Sequence, residues 1–163
     1  MKKYTISDFL PLIIIFACIA SFTLIRQSIL GYWDLMYAMN DFMGAFFIVF
    51  GFFKVINLPG FVEAYRIYDI VAQQSKAYAY IYPFIELSLG VAYILRLYPI
   101  ATNAITLVVM IISSIGVAIE ISKKKEIMCA CLGDVFKLPM TYVTLFEDLI
   151  MALMAAGMLA YYT

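Results

Sequence analysis

Five apolar runs of about twenty residues, separated by short polar connections, dominate this sequence. They extend over about 9–30, 35–56, 77–95, 99–121 and 140–162. Each is long enough to carry an α-helix across a hydrocarbon core about 30 Å thick. None alternates polar and apolar residues as a barrel strand does, and a backbone in lipid must satisfy its own hydrogen bonds, so the runs predict helices. The expected fold class is therefore an all-α integral membrane protein with five transmembrane helices, forming a single domain over 1–163.

Between the second and third runs, Asn57-Leu58-Pro59-Gly60 halts the helix. The stretch from Phe61 to Lys76 carries Glu63, Arg66, Asp69 and Lys76, too much charge for a span. Its Phe61, Val62, Tyr65, Tyr68 and Val71 predict a short amphipathic helix lying in the membrane interface. In the fifth run Ala152, Ala156 and Ala160 recur every four residues, a stripe suited to close helix packing. Tyr32, Trp33, Tyr37, Tyr98, Tyr161 and Tyr162 fall near one set of helix ends, and Tyr78, Tyr80, Tyr82 and Tyr142 near the other, as in an aromatic belt.

Composition strengthens the membrane reading: 66% of the 163 residues are hydrophobic and 13% charged, against about a quarter charged in soluble domains. Eleven basic and eleven acidic residues balance, so nothing points to nucleic acid. The absence of histidine excludes histidine-ligated zinc, histidine-held haem and triad catalysis within this chain. With the amino terminus inside, Lys2, Lys3, Lys54, Arg66, Lys76, Lys123, Lys124, Lys125 and Lys137 are cytoplasmic and only Arg26 and Arg96 lie outside. That bias predicts a multi-pass protein of the inner (cytoplasmic) membrane, amino terminus cytoplasmic and carboxyl terminus on the far side. Lys2, Lys3 and Cys18 superficially suggest a cleaved or lipidated leader, but the apolar run continues past Cys18 to Leu24, which favours a retained first helix.

Chemistry concentrates in Met128-Cys129-Ala130-Cys131-Leu132-Gly133-Asp134. Two thiols one residue apart can form a strained disulfide, pass electrons or sulfur, or hold a soft metal. Lys123 to Lys125 and Lys137 make an electropositive setting that favours thiolates. A reducing cytosol disfavours a resting disulfide there and favours a transient catalytic or metal-binding role. Under the metal reading, Met128 or Met140 joins Cys129 and Cys131 around Cu(I). Otherwise the sequence requires no cofactor.

Ionisable residues inside the spans form a second candidate site, because each costs about 2.5–3.5 kcal/mol at a helix centre on insertion scales. Glu86 lies mid-span, Lys54 closes the second run, and Glu120, Glu147 and Asp148 fall in the same halves of the fourth and fifth. Two readings stand: Lys54 pairs with Glu86 or Glu147 to neutralise charge, or the cluster tunes thiol acidity and relays protons.

The run from Met128 to Asp134, followed by Leu138-Pro139-Met140-Thr141 and Leu145-Phe146-Glu147-Asp148, resembles the carboxy-terminal signature of the MauE/DoxX-like family of redox-associated membrane proteins, the methylamine-utilisation type. Gly44 to Lys54, then Leu58-Pro59-Gly60-Phe61 and Tyr82-Pro83-Phe84-Ile85-Glu86-Leu87, is similar to the DoxX pattern of a glycine-rich helix ending in lysine with a glutamate in the next span. The resemblance covers about 40–160 and implies a four-helix core with the first helix added. It further implies thiol–disulfide or sulfur chemistry, with thioredoxin-like, glutaredoxin-like or metal-handling partners. The spacing differs from that of membrane disulfide generators with a similar core, which use Cys-x-x-Cys on the oxidising side and bind a quinone. The leading expectation is a redox protein acting through Cys129 and Cys131. A Cu(I) or soft-metal binder or transporter, an accessory subunit in an oligomer or larger complex, and a small-molecule transporter using Glu86 are the alternatives.

Overall fold

The computed structural model describes residues 10–123 and 141–162. Among them, all regular structure is helical: α1 (Leu10–Leu30), α2 (Leu35–Ile56), α3 (Leu58–Tyr68), α4 (Ile70–Gln74), α5 (Lys76–Ile94), α6 (Pro99–Ser122) and α7 (Thr141–Tyr162). Helices α1, α2, α5, α6 and α7 are long and apolar enough to cross a membrane. The protein is a multi-pass all-α membrane protein.

Two antiparallel helix pairs, α2 with α5 and α6 with α7, make the principal contacts, and α1 packs on α2. Small residues set the α2–α5 distance. A Cβ on Gly90 would come within 2.7 Å of the Ile48 side chain and 2.9 Å of its backbone nitrogen, and one on Gly44 within 2.7 Å of Ile94. Aromatic and methionine side chains fill the centre, with Met43, Phe46, Phe47, Phe50, Tyr93, Met110, Met151, Ala155 and Met158 all buried. On α7 the buried face is therefore Met151, Ala152, Ala155 and Met158, rather than the expected alanine stripe: Ala160 is exposed and Ala156 only partly covered. Methionine's flexible stem fills the irregular gap between α7 and the bundle, and outweighs the small-residue periodicity.

The expected interfacial helix is corrected by the structure. Asn57 ends α2 and caps α3, accepting from Gly60 N at 3.3 Å. Asp69 ends α3 and caps α4, accepting from Val71 N at 3.0 Å and Ala72 N at 2.7 Å. Ser75 ends α4 and caps α5. Three caps within twenty residues fold the segment back on itself, since each supplies an acceptor to orphaned N–H groups at a helix start. Phe61, Val62, Tyr65, Tyr68 and Ala72 consequently bury against Ala79, Tyr82 and Val117 of α5 and α6, forming a second core instead of facing lipid. Gly116 makes this possible: the Tyr68 carbonyl lies 2.5 Å from where a Cβ would stand. Tyr82, expected in the aromatic belt, belongs to this core, whereas Tyr32, Trp33, Tyr98 and Tyr161 are exposed at helix ends.

At the opposite end of the bundle, fully buried Asp41 of α2 accepts from Arg26 Nε of α1 at 3.3 Å and from Arg96 at 3.0 Å. Arg96 occupies the α5–α6 turn with φ 55° and stacks 4.1 Å from the Tyr37 ring centroid. A left-handed backbone is unfavourable for an arginine, and these contacts offset it.

Candidate functional site

The two cores meet at a polar cavity within the bundle. Its lining comes from four of the long helices and the α3 insertion: Phe46, Phe50 and Lys54 from α2, Tyr65 and Tyr68 from α3, Tyr82 and Glu86 from α5, Met110 and Ser113 from α6, and Thr144, Glu147 and Asp148 from α7. The volume open to the centre of a water molecule is about 20 Å³, room for roughly one water.

Lys54 and Glu86 form an ion pair across α2 and α5, both nearly inaccessible. The ammonium lies 5.1 Å from the Tyr82 ring centroid and 5.6 Å from that of Phe61, so aromatic faces cover the side not taken by the carboxylate. Tyr65 stacks on Phe61 at 5.0 Å and contacts Tyr82 at 4.5 Å, fixing both rings. The Tyr65 hydroxyl donates to Asp69 Oδ2 at 2.9 Å. Burial, reinforced by Tyr82 and Asp69, pushes that phenol well above the ordinary tyrosine value and keeps it a donor. Asp69 thus accepts from three donors: one hydroxyl and two backbone N–H groups.

On the α6–α7 side, Ser113 Oγ donates to Asp148 Oδ2 at 2.7 Å. Glu147 is 5% exposed, and its Oε1 has no hydrogen-bond partner among the described residues. The same holds for Glu86 Oε2. Of the five ionisable residues singled out in the sequence, Lys54, Glu86, Glu147 and Asp148 line one cavity. Glu120 does not: it lies nearer the end of α6 and pairs with Lys123. Cys129, Cys131 and Met128 lie outside the described residues, and Cys18 is exposed on α1.

Tyr65, Asp69 and Ser113 belong to the site but were not among the residues expected there. Asp69 carried a sequence signal, an Asp preceding a short apolar stretch, in keeping with its cap. Ser113 carried none, since serine inside an apolar helix ordinarily bonds its own backbone, as Ser88 does to the Phe84 carbonyl at 2.7 Å. Among the described residues, no three acidic or cysteine side chains are placed to share a metal ion.

Comparison with known families decides the relationship. The model of the family described as methylamine utilisation protein MauE matches residues 32–161. The chain belongs to the MauE family. The match begins after α1 and takes in α2 through α7, including Cys129 and Cys131. No curated protein and no solved structure matches this MauE-family chain.

Proposed function

We propose that this MauE-family protein is a membrane-embedded thiol–disulfide or sulfur-transfer redox protein that works through Cys129 and Cys131 and serves methylamine utilisation. The observation that carries the proposal is the span of the family match, which unites the Cys-x-Cys segment with the helices that build the ion-pair cavity. In sequence the segment lies between the end of α6 at Ser122 and the start of α7 at Thr141, and Thr144, Glu147 and Asp148, in the first two turns of α7, line that cavity. Cys129 comes six positions after Lys123, and six residues of chain span at most about 20 Å.

In the reaction, one thiolate attacks a disulfide sulfur of a thioredoxin-like or glutaredoxin-like partner, forming a mixed disulfide and expelling the partner's other thiolate. The second cysteine then attacks the first. The partner leaves with two thiols, the Cys129–Cys131 disulfide remains, and two electrons have passed to the partner. Lys54, Arg66, Lys76 and Lys123 gather toward the end of the bundle where α6 ends, and Arg26 and Arg96 toward the other. This charge bias supports a cytoplasmic position for the thiols.

The test replaces Cys18 by Ser to leave two thiols, then changes each in turn. Cys131→Ser or Cys129→Ser accumulates a mixed disulfide with a thioredoxin-like protein, and the double variant accumulates none. A double variant with full biological activity rejects the thiol mechanism, and stoichiometric copper on the purified protein transfers the segment to the soft-metal reading.

A further inference from the structure

Among the described residues, the polar cavity has more acid than its one cation balances. Lys54 neutralises Glu86, and Asp69 is satisfied by three donors, but among the described residues Glu147 and Asp148 have no cation of their own lining the cavity. The other groups facing them are Tyr65 and Tyr68 on α3, Tyr82 on α5, Ser113 on α6 and Thr144 on α7, none of them basic. Two uncompensated carboxylates inside a bilayer-spanning bundle are strongly disfavoured, and such groups neutralise by taking up protons.

Two further observations distinguish an exchanging site from a sealed one. Glu86 and Glu147, 2% and 5% exposed, each keep one oxygen without a hydrogen-bond partner among the described residues, where a purely structural network would pair both. The cavity beside them has room for about one water, which can donate to and accept from a carboxyl group.

We propose that this cavity is a proton-exchange site within the membrane, in which Glu147 and Asp148 bind and release protons while the Lys54–Glu86 pair supplies a fixed, neutral wall. The ligand is the proton rather than a metal cation. The Lys54 ammonium repels a second cation held at the same place, whereas a protonated carboxyl is neutral and unaffected. The inference is independent of the thiol mechanism, since it invokes no cysteine.

Infrared spectroscopy of the full-length protein in lipid tests it. A carboxylic-acid C=O band is expected at neutral pH, growing as the pH falls and shifting on transfer to D2O. Glu147→Gln and Asp148→Asn should each remove part of it. Ser113→Ala, which keeps every carboxyl but removes a donor, should shift the Asp148 component, so the reading survives if one acid variant fails to fold. No band, a band that ignores both pH and D2O, or one unchanged in all three variants overturns the proposal. Loss of the band on adding sodium at constant pH and ionic strength also overturns it, in favour of a metal-cation site.

Discussion

Lys54 of α2 and Glu86 of α5 are ion-paired, both nearly inaccessible, and the ammonium is held beside the Phe61 and Tyr82 rings. The pair ties α2 to α5 one turn from where α3 begins, so it fixes the α3 insertion as well as the helix pair. Removing one member of a buried pair costs about 3–5 kcal/mol, because the other charge remains.

The two halves of this pair should not be equivalent. Glu86→Gln leaves Lys54 with both aromatic faces and with Glu147 and Asp148 on the same cavity wall. Lys54→Met leaves three carboxyl groups and, among the described residues, no cation lining the cavity. In thermal unfolding of the detergent-solubilised protein, Lys54→Met should lower the midpoint more than Glu86→Gln; the reverse order would refute the charge balance described.

Gly116 provides a second, purely steric test. A methyl group there would meet the Tyr68 carbonyl at 2.5 Å and Asp69 Cα at 3.1 Å, both backbone, which cannot swing aside. Gly116→Ala should destabilise by about 1–3 kcal/mol, as overpacking does. Gly157→Ala on α7, where nothing lies within 4 Å, is the control and should be neutral or slightly stabilising. Equal midpoints for the two variants would mean that α3 and α4 do not insert against α6.

The long helices were legible because hydropathy alone defines a span. The segment Leu58–Gln74 was only half legible: its amphipathic period was plain, but the same period serves a helix on lipid and one buried in protein. The choice depended on Gly116, more than forty residues away, which opens a place for the Tyr68 carbonyl. Glu86 and Lys54 stood out as charges in apolar surroundings. Their convergence with Glu147 and Asp148 depended on the packing of α7, and Glu120 shows the limit of reasoning by depth, since a similar position on α6 leaves it outside the cavity. Asp41 stands near the start of the second apolar run and Arg26 and Arg96 at the same side, but their pairing depended on how α1 and the α5–α6 turn pack on α2.

Asp41 should therefore be a stability residue at the end of the bundle away from the cavity. It is fully buried and holds α1 and the α5–α6 turn to α2 through two guanidinium groups. Asp41→Ala should cost about 1.5–3 kcal/mol by removing the charged acceptor that both arginines share. Arg26→Ala should cost less, since its side chain is 41% exposed and Arg96 remains on the acid. Unfolding midpoints check the order. A larger loss in Arg26→Ala than in Asp41→Ala would remove the acid from its central place.

Thiol topology follows from charge, and one described residue makes the test clean. Cys18 sits midway along α1 with its side chain exposed on the bundle surface, within a helix that spans the membrane. Lipid should shield it from a membrane-impermeant thiol reagent, and Cys18→Ser removes any residual signal with little effect on packing. The nine-to-two excess of lysine and arginine predicts that Cys129 and Cys131 face the cytoplasm. In the Cys18→Ser background, impermeant reagent applied to intact cells should leave the protein unlabelled, and inverted membranes should label both cysteines. The cytosol is reducing, and a ring closed through one intervening residue is strained, so labelling there should need no prior reduction. Rapid labelling from outside would reverse the orientation, place the pair in an oxidising compartment, and make a resting disulfide the state to be explained.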